Sequence, residues 1–286
     1  MIILVTGADG QLGRAMKQAL PALLPQATAY FTSHSDLDLT DARAVGRYLS
    51  DREVTHVVNC AAYTAVDRAE EDKAACTAVN VDAVKNLALA ADAIGAKVVH
   101  VSTDFVFDGL SHRAYDESDK VNPTSHYGAS KRAGETALLA LLPDSIIVRT
   151  SWLYGSLEEN NFVSRILSAA RSRRELKVVS DQIGSPTRAA DLAAAICRIL
   201  ASPQWVEGIY HYCDSGVCSR YDFAKAIVDL AGLKDCHVSP ILTSDLLSQV
   251  ASRPPMSALS TRKIVMTYSV DTPHWFDSLK TLFPTA

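Results

Sequence analysis

The chain has 286 residues, 48% of them apolar and 21% charged, with a formal net charge of −4. That length suits one large domain or two modest ones, and the composition is that of a soluble globular protein. No basic run or basic-aromatic stripe suits nucleic acid, no stretch approaches the roughly 20 apolar residues of a membrane span, and the short apolar N-terminus lacks the charged region and cleavage site of a signal peptide. Cys60, Cys76, Cys197, Cys213, Cys218 and Cys236 form no Cys-x-x-Cys and have no His cluster beside them. They read as reduced thiols of a cytoplasmic protein, not as metal ligands or a disulfide framework.

Ile2 to Thr6 is a short apolar run and predicts a buried strand. Gly7-Ala8-Asp9-Gly10-Gln11-Leu12-Gly13 follows, then a helical pattern from Arg14 to Leu20. In that setting Gly7 permits a tight turn, Gly10 lets a pyrophosphate reach the backbone, and Gly13 lets helix pack on strand. The amides at the helix start then face an anion. The spacing is Gly-x-x-Gly-x-x-Gly rather than Gly-x-Gly-x-x-Gly. A second strand is expected around Ala27 to Thr32. A site specific for NAD usually carries an acid about 20 residues past the glycines, on the ribose 2′-hydroxyl. Here the strand end reads Thr32-Ser33-His34-Ser35, with Asp36 and Asp38 only afterwards. A 2′-phosphate meets no strong repulsion there, so NADPH should be accepted, with NADH as a second cofactor.

Asp41 to Arg52 predicts a helix, Val54 to Ala61 a strand, Lys73 to Ile94 one long alanine-rich helix stopped by Gly95, and Lys97 to Val101 the next strand. This alternation predicts an α/β fold, a parallel sheet with helices on both faces. Such sheets bind ligands beyond the carboxyl ends of their strands, which here means Gly7 to Gly13, Ala61 to Thr64 and Ser102 to Asp104. A hydroxyl just past a strand can donate to a developing oxyanion, although a Ser-Thr pair there also caps backbone. Residues 105–124 are rich in Asp, Ser, Asn and Pro and predict a loop. Ser125 then opens a helix as its N-cap. Tyr127 and Lys131, four apart, share a face of it. An ammonium beside a phenol favours the phenolate, so the Tyr127 pKa is expected to fall toward neutral, where the phenol can exchange a proton during a reaction. Tyr-x-x-x-Lys alone also occurs on solvated helix faces.

Beyond Trp152 the pattern changes. Asn160 to Arg174 and Arg188 to Ala201 read as helices, with an irregular stretch from Val178 to Pro186 between them. Gly208 to Cys213 predicts a strand, Arg220 to Leu230 a helix, and Ser239 to Arg253 gives no clear assignment. There is no second glycine motif. Residues 1–150 therefore read as the cofactor domain. Residues 151–286 read mainly as a smaller α/β substrate-binding domain, interleaved with the first and bounded only approximately.

Several of these segments together resemble the extended short-chain dehydrogenase/reductase superfamily, and within it the dTDP-4-dehydrorhamnose reductase family. They are Val5 to Gly13, Leu37-Asp38-Leu39-Thr40-Asp41, Asn59-Cys60-Ala61-Ala62-Tyr63-Thr64-Ala65-Val66-Asp67, Ser102 to Gly109, Tyr127-Gly128-Ala129-Ser130-Lys131, Arg149 to Gly155, Gly184-Ser185-Pro186-Thr187, and Arg253 to Leu259. The resemblance implies a Rossmann-type doubly wound parallel sheet. It also implies reduction of the C4 ketone of dTDP-4-dehydro-L-rhamnose by hydride from NADPH or NADH, the last step of dTDP-L-rhamnose synthesis. By the same resemblance Gly7, Gln11, Leu12 and Gly13 hold the pyrophosphate, and Asp38 and Leu39 lie against the adenine. Ala61, Ala62 and Tyr63 line the nicotinamide half, with Ser102 among the cofactor contacts. Tyr127 is the proton donor, Lys131 binds the nicotinamide ribose, and Thr103 hydrogen-bonds the substrate carbonyl. Asp104 and Phe105 join it on the substrate side, Trp152 packs on the sugar, and Arg253 helps bind the nucleotide-sugar.

Some members of the family dimerise around a magnesium ion held by glutamates, one of them two residues after the third glycine. Here that residue is Ala15, so no metal is expected, and a monomer or a different, weak homodimer is. Two rival readings share the fold. A nucleotide-sugar dehydratase or epimerase would need an Asp-Glu pair after the threonine, whereas this chain has Thr103-Asp104-Phe105. A non-catalytic NADP-binding regulatory subunit, like the methionine adenosyltransferase beta subunit, would not need Thr103, Tyr127 and Lys131 intact.

Overall fold

The computed structural model describes residues 1–246 and 250–283. The tract Ser239 to Arg253, left unassigned above, runs through residues 247–249, which lie outside the described residues. β1 (Ile2–Thr6) is buried from its second residue on, as a central strand covered on both faces must be. α1 (Gln11–Leu23) follows the glycine turn directly and runs through Pro21. Next come β2 (Thr28–Thr32) and α2 (Ala42–Asp51), whose first amides are capped by the Asp41 carboxylate. β3 (His56–Asn59), α3 (Lys73–Thr77), α4 (Ala83–Ile94) and β4 (Lys97–Thr103) continue the alternation. α5 (His126–Leu141) and β5 (Ile146–Thr150) complete it.

These strands pair in parallel in the order β2-β1-β3-β4-β5. The period-two geometry of a strand divides their side chains between two cores. Ile3, Val5, Val58, Val99, Ile146 and Val148 face one, where Leu12, Met16 and Leu20 of α1 cover them. Leu4, Val57, Val98 and Ile147 face the other, against Val45 and Leu49 of α2, Leu87 and Ala91 of α4, and Leu138 of α5. The predicted doubly wound parallel sheet is therefore present. From β1 the chain crosses to β2 on one side and then back to β3 on the other. That reversal opens a crevice at the carboxyl ends of β1 and β3, the place where such sheets take ligands.

The second half begins with β6 (Leu153–Tyr154), α6 (Phe162–Ser172), β7 (Glu175–Val179), β8 (Ile183–Gly184) and β9 (Thr187–Arg188). α7 (Ala189–Ala201), β10 (Gly208–His211), β11 (Cys218–Ser219), α8 (Arg220–Leu230) and β12 (His237–Ile241) follow, then α9 (Arg262–Tyr268) and α10 (Trp275–Lys280). Three of these elements belong to the first half: β10, α7, and α9, whose Ile264 and Tyr268 lie in the core that α1 covers. β10 pairs in parallel with β5 as the sixth strand of the main sheet, and Leu192, Ile196 and Ile199 of α7 sit in the same core as α1. The remainder packs on its own clusters around Phe223, Ile227 and Trp275 and around Leu176, Val228 and Val238.

Two sequence expectations change. Lys73 to Ile94 is not one α-helix, because Ala78–Asp82 form a π turn inside it. Val178 to Pro186 is not irregular throughout, since β7 reaches Val179 and pairs in parallel with β12. Among the described residues no helix is long and apolar enough to cross a membrane.

Candidate active site

The glycine turn opens the crevice. Gly7 has φ +64°, and a Cβ there would lie 2.7 Å from the Ala61 nitrogen; the loops after β1 and β3 touch across it. A Cβ on Gly13 would lie 2.6 Å from the Ala8 Cα, so only glycine lets α1 start this close to β1. Gly10 is the N-cap and supplies no side-chain hydrogen bond, and no acidic residue occupies the first turn of α1. Its leading amides thus retain donor capacity at the positive end of the helix dipole. The Gln11 Oε1 is buried without a hydrogen-bond partner. Amides at the helix start and no carboxylate in the first turn suit a nucleotide diphosphate.

Ala61, Ala62 and Tyr63 follow β3 on the same rim, and Asn80 of the π turn holds them. Its Oδ1 accepts from the Tyr63 amide at 2.9 Å, while its Nδ2 donates to the Tyr63 carbonyl at 3.2 Å and the Ser130 hydroxyl at 2.9 Å. π turns inside α-helices often mark functional sites, and this one ties the β3 rim to the helix carrying Tyr127. At the β2 end the carboxylate of Asp36 folds back onto the amide and hydroxyl of Ser33, at 2.9 and 2.6 Å. Asp38 likewise binds the amide and hydroxyl of Thr40. Leu39 is buried in the core, so it faces a ligand with backbone alone.

β4 ends in Ser102 and Thr103. The Thr103 hydroxyl accepts from the Phe105 amide at 3.2 Å and donates to Asp104 Oδ1 at 3.1 Å. Asp104 is only 2% exposed and its Oδ2 has no partner. Burial pushes its carboxyl up to about 6, against the pull of the Ser257 and Thr103 hydroxyls and the Arg220 charge. α5 opens at Ser125, whose hydroxyl accepts from the Gly128 amide at 3.2 Å. Gly128 itself faces the Phe105 carbonyl without room for a side chain, and this sets Tyr127 against the end of β4. The Tyr127 ring meets Phe105 edge to face at 5.5 Å.

Lys131 is 2% exposed. Its Nζ donates to the Val101 carbonyl at 2.8 Å and lies 3.4 Å from His100 Nε2. Burial pulls its ammonium down to about 8, against the Glu135 charge. The expected lowering of the Tyr127 phenol is not found: burial pushes it up to about 12, against the Thr103 hydroxyl and with the Asp104 charge adding to the rise. Lys131 Nζ is turned to the Val101 carbonyl instead, and desolvation of the phenolate dominates. At neutral pH the phenol keeps its proton, which is the state a donor needs.

Trp152 follows β5 with φ +45°, a left-handed conformation that is costly for a bulky residue. Its carbonyl accepts from the Thr187 amide at 3.3 Å, and the Arg220 guanidinium lies over its ring at 3.6 Å. Among the described residues Arg220 forms no ion pair; burial pulls it down to about 10, against Asp104. Arg253 sits differently. Its guanidinium clasps Asp67 in a bidentate pair at 2.6 and 2.8 Å, and Asp67 also accepts from the Ala251 amide at 2.9 Å. Arg220, Asn80 and His100 carry no sequence signal of their own, and Asn59 enters only as the first residue of the Asn59 to Asp67 motif.

The family model for the RmlD substrate binding domain matches residues 1–286. The chain belongs to this family. Its Bacillus subtilis (strain 168) relative, the spore coat polysaccharide biosynthesis protein SpsK, is 38% identical, over 97% of this chain and 95% of that protein. The crystal structure of a dTDP-4-dehydrorhamnose reductase from Clostridium acetobutylicum ATCC 824 is 40% identical with a TM-score of 0.93, covering 99% of this chain and 98% of that one. The Bacillus anthracis str. Ames dTDP-4-dehydrorhamnose reductase, solved in complex with NADP, is 36% identical with a TM-score of 0.93 and the same coverage. The RmlD-family membership agrees with the resemblance drawn from the motifs.

Proposed function

We propose that the protein reduces the C4 ketone of dTDP-4-dehydro-L-rhamnose to dTDP-L-rhamnose with NADPH, NADH being accepted as well. The observation that supports this reading is that Tyr127 lies against Thr103 and Asp104 at the carboxyl end of β4, with Lys131 bonded to the Val101 carbonyl of the same strand, in a sheet that begins with a nucleotide-type glycine turn. When bound, NADPH supplies the hydride that C4 receives. Gly7, Gly10, Gln11, Leu12 and Gly13 hold its diphosphate through the start of α1. Asp38 and Leu39 flank the adenine, and Ala61, Ala62, Tyr63 and Ser102 line the nicotinamide half. Lys131 holds the adjoining ribose and steadies the phenolate left when Tyr127 gives its proton to the ketone oxygen. The Thr103 hydroxyl supports the charge that builds on that oxygen.

Asp104, Phe105 and Trp152 orient the sugar. Arg220, stacked on Trp152, takes the diphosphate of the nucleotide-sugar, and Arg253, steadied by Asp67, joins it from the rim. Residues 1–150 serve mainly the cofactor and residues 151–286 mainly the substrate, interleaved through β10 and α7. The enzyme works in the cytoplasm as a monomer or weak homodimer, with no nucleic-acid partner and no required metal. The test is NADPH oxidation supplied with the keto sugar. Oxidation with the sugar and none without it supports the reading. A nicotinamide that stays bound through purification and turnover points to a dehydratase or epimerase, and NADP binding without turnover to a regulatory subunit.

A further inference from the structure

His100 lies on β4 with no exposed surface, beneath the site and outside the chemistry described so far. Its Nδ1 is 3.0 Å from Asn59 Nδ2, and its Nε2 is 3.4 Å from Lys131 Nζ. The orientation of the Asn59 amide is fixed by a donor that cannot change: its Oδ1 accepts from the Ala61 backbone amide at 3.1 Å and from the Thr6 hydroxyl at 2.7 Å. The NH2 group therefore points at His100, and Nδ1 must be the acceptor. A neutral imidazole with Nδ1 as acceptor carries its hydrogen on Nε2. Burial and the Lys131 charge both drive His100 well below its ordinary range, so the ring is neutral. Two donors, an Nε2–H and an ammonium, would then face each other. Only the uncharged amine can accept from that N–H.

We propose that His100 is a positioning residue: Asn59 sets its tautomer so that Nε2–H faces Lys131, and this weakens the hold of Lys131 on its proton. The other groups around the amine are Glu135 on its own helix, Cys60 after β3 and Cys76 on α3. Glu135 is engaged by Arg149 at 2.7 and 2.8 Å, so it counters the effect only in part. Because the phenol keeps its proton to high pH, the alkaline limit of turnover belongs to Lys131, and His100 sets where it falls. The inference rests on the proposed role of Lys131 in hydride transfer, but its geometric half does not.

That half is tested on the wild-type protein labelled with 15N-histidine, by a long-range proton–nitrogen correlation spectrum. A neutral His100 protonated on Nε2 is expected; a proton on Nδ1, or an imidazolium, overturns the proposal. The functional half uses Asn59→Asp, whose carboxylate accepts from Ala61 and Thr6 as before but also from Nδ1–H. The tautomer then switches, and the Nε2 lone pair accepts from the ammonium. The alkaline limb of kcat/KM should move up by about one pH unit or more, a tenfold tighter hold on the proton. A switched tautomer with an unmoved limb overturns the proposal, as does the same shift in Asn59→Asp/His100→Phe, where the carboxylate acts without the ring. Absence of any keto-sugar reduction would defeat the proposed function and leave the spectrum of the wild type to decide the tautomer.

Discussion

Replacing Tyr127 by Phe removes one oxygen and leaves the ring in its cluster with Ala69 and Cys76, edge-on to Phe105. Folding and NADPH binding should therefore survive, and the change isolates proton donation. The phenol stands at about 12; water, the donor of last resort, stands near 15.7. With a Brønsted sensitivity on the order of one half, that gap alone costs roughly 70-fold in rate. Loss of the fixed donor position adds to it, so the whole effect should fall between about 100- and 10,000-fold, or roughly 3 to 5 kcal/mol of barrier. The assay is NADPH oxidation followed by absorbance, with saturating keto sugar at neutral pH and the KM for NADPH measured in parallel. Turnover within about tenfold of wild type would refute the assignment of Tyr127 as donor. A large rise in the NADPH KM with turnover preserved would mean that the hydroxyl serves binding instead.

Arg220→Ala should raise the KM for the nucleotide-sugar by roughly 10- to 100-fold, the worth of a charge-assisted hydrogen bond, and leave the NADPH KM nearly unchanged; equal effects on both would remove Arg220 from the substrate side. Gly13→Ala should destabilise the fold by about 1 to 3 kcal/mol, because the added carbon meets the Ala8 backbone at 2.6 and 2.8 Å; thermal melting checks this, and an unchanged Tm would show that α1 can shift. Asp214 is fully buried and its carboxyl is pushed up to about 7 from 3.8, chiefly by desolvation. Its folded form binds the proton more tightly than its unfolded form, so ionisation costs stability above pH 7 and costs nothing below 3.8. The gap of about three units corresponds to at most about 4 kcal/mol. Asp214→Asn, which keeps an acceptor for the Arg188 amide, should therefore raise the Tm at pH 8, with the gain shrinking toward pH 4; a gain independent of pH would contradict the argument.

What the sequence revealed was local. The glycine turn, the strand before it and the Tyr127–Lys131 face are each written within a few consecutive residues, and strand burial on alternate sides follows from period alone. Longer-range facts left no such trace. Ala78–Asp82 keeps the apolar spacing of a helix, so nothing marks the extra residue that forms the π turn and aims Asn80 at Tyr63. β7 is a mixed polar and apolar stretch that becomes a strand only because β12 pairs with it. β10 reads correctly as a strand, yet its place beside β5 depends on a partner some sixty residues away in sequence, at Ile146 to Arg149. Arg220 stands at the start of an ordinary amphipathic helix, where an arginine is normally solvated; only its stacking on Trp152 distinguishes it. Spacing supplies a charged neighbour for Tyr127 but not the depth of burial, and burial is what raises its phenol.

The late arrival of the sixth strand limits how the protein can be taken apart. A gene fragment stopped at residue 150 would leave β5, buried along its whole length, as a bare hydrogen-bonding edge open to self-association. It would also strip the α7 side chains off the face of the sheet that α1 covers. Chimaeras between relatives that keep this sheet and its α7 cover intact would therefore need at least three crossovers, carrying residues 189–211 with residues 1–150, rather than one splice in the middle of the chain.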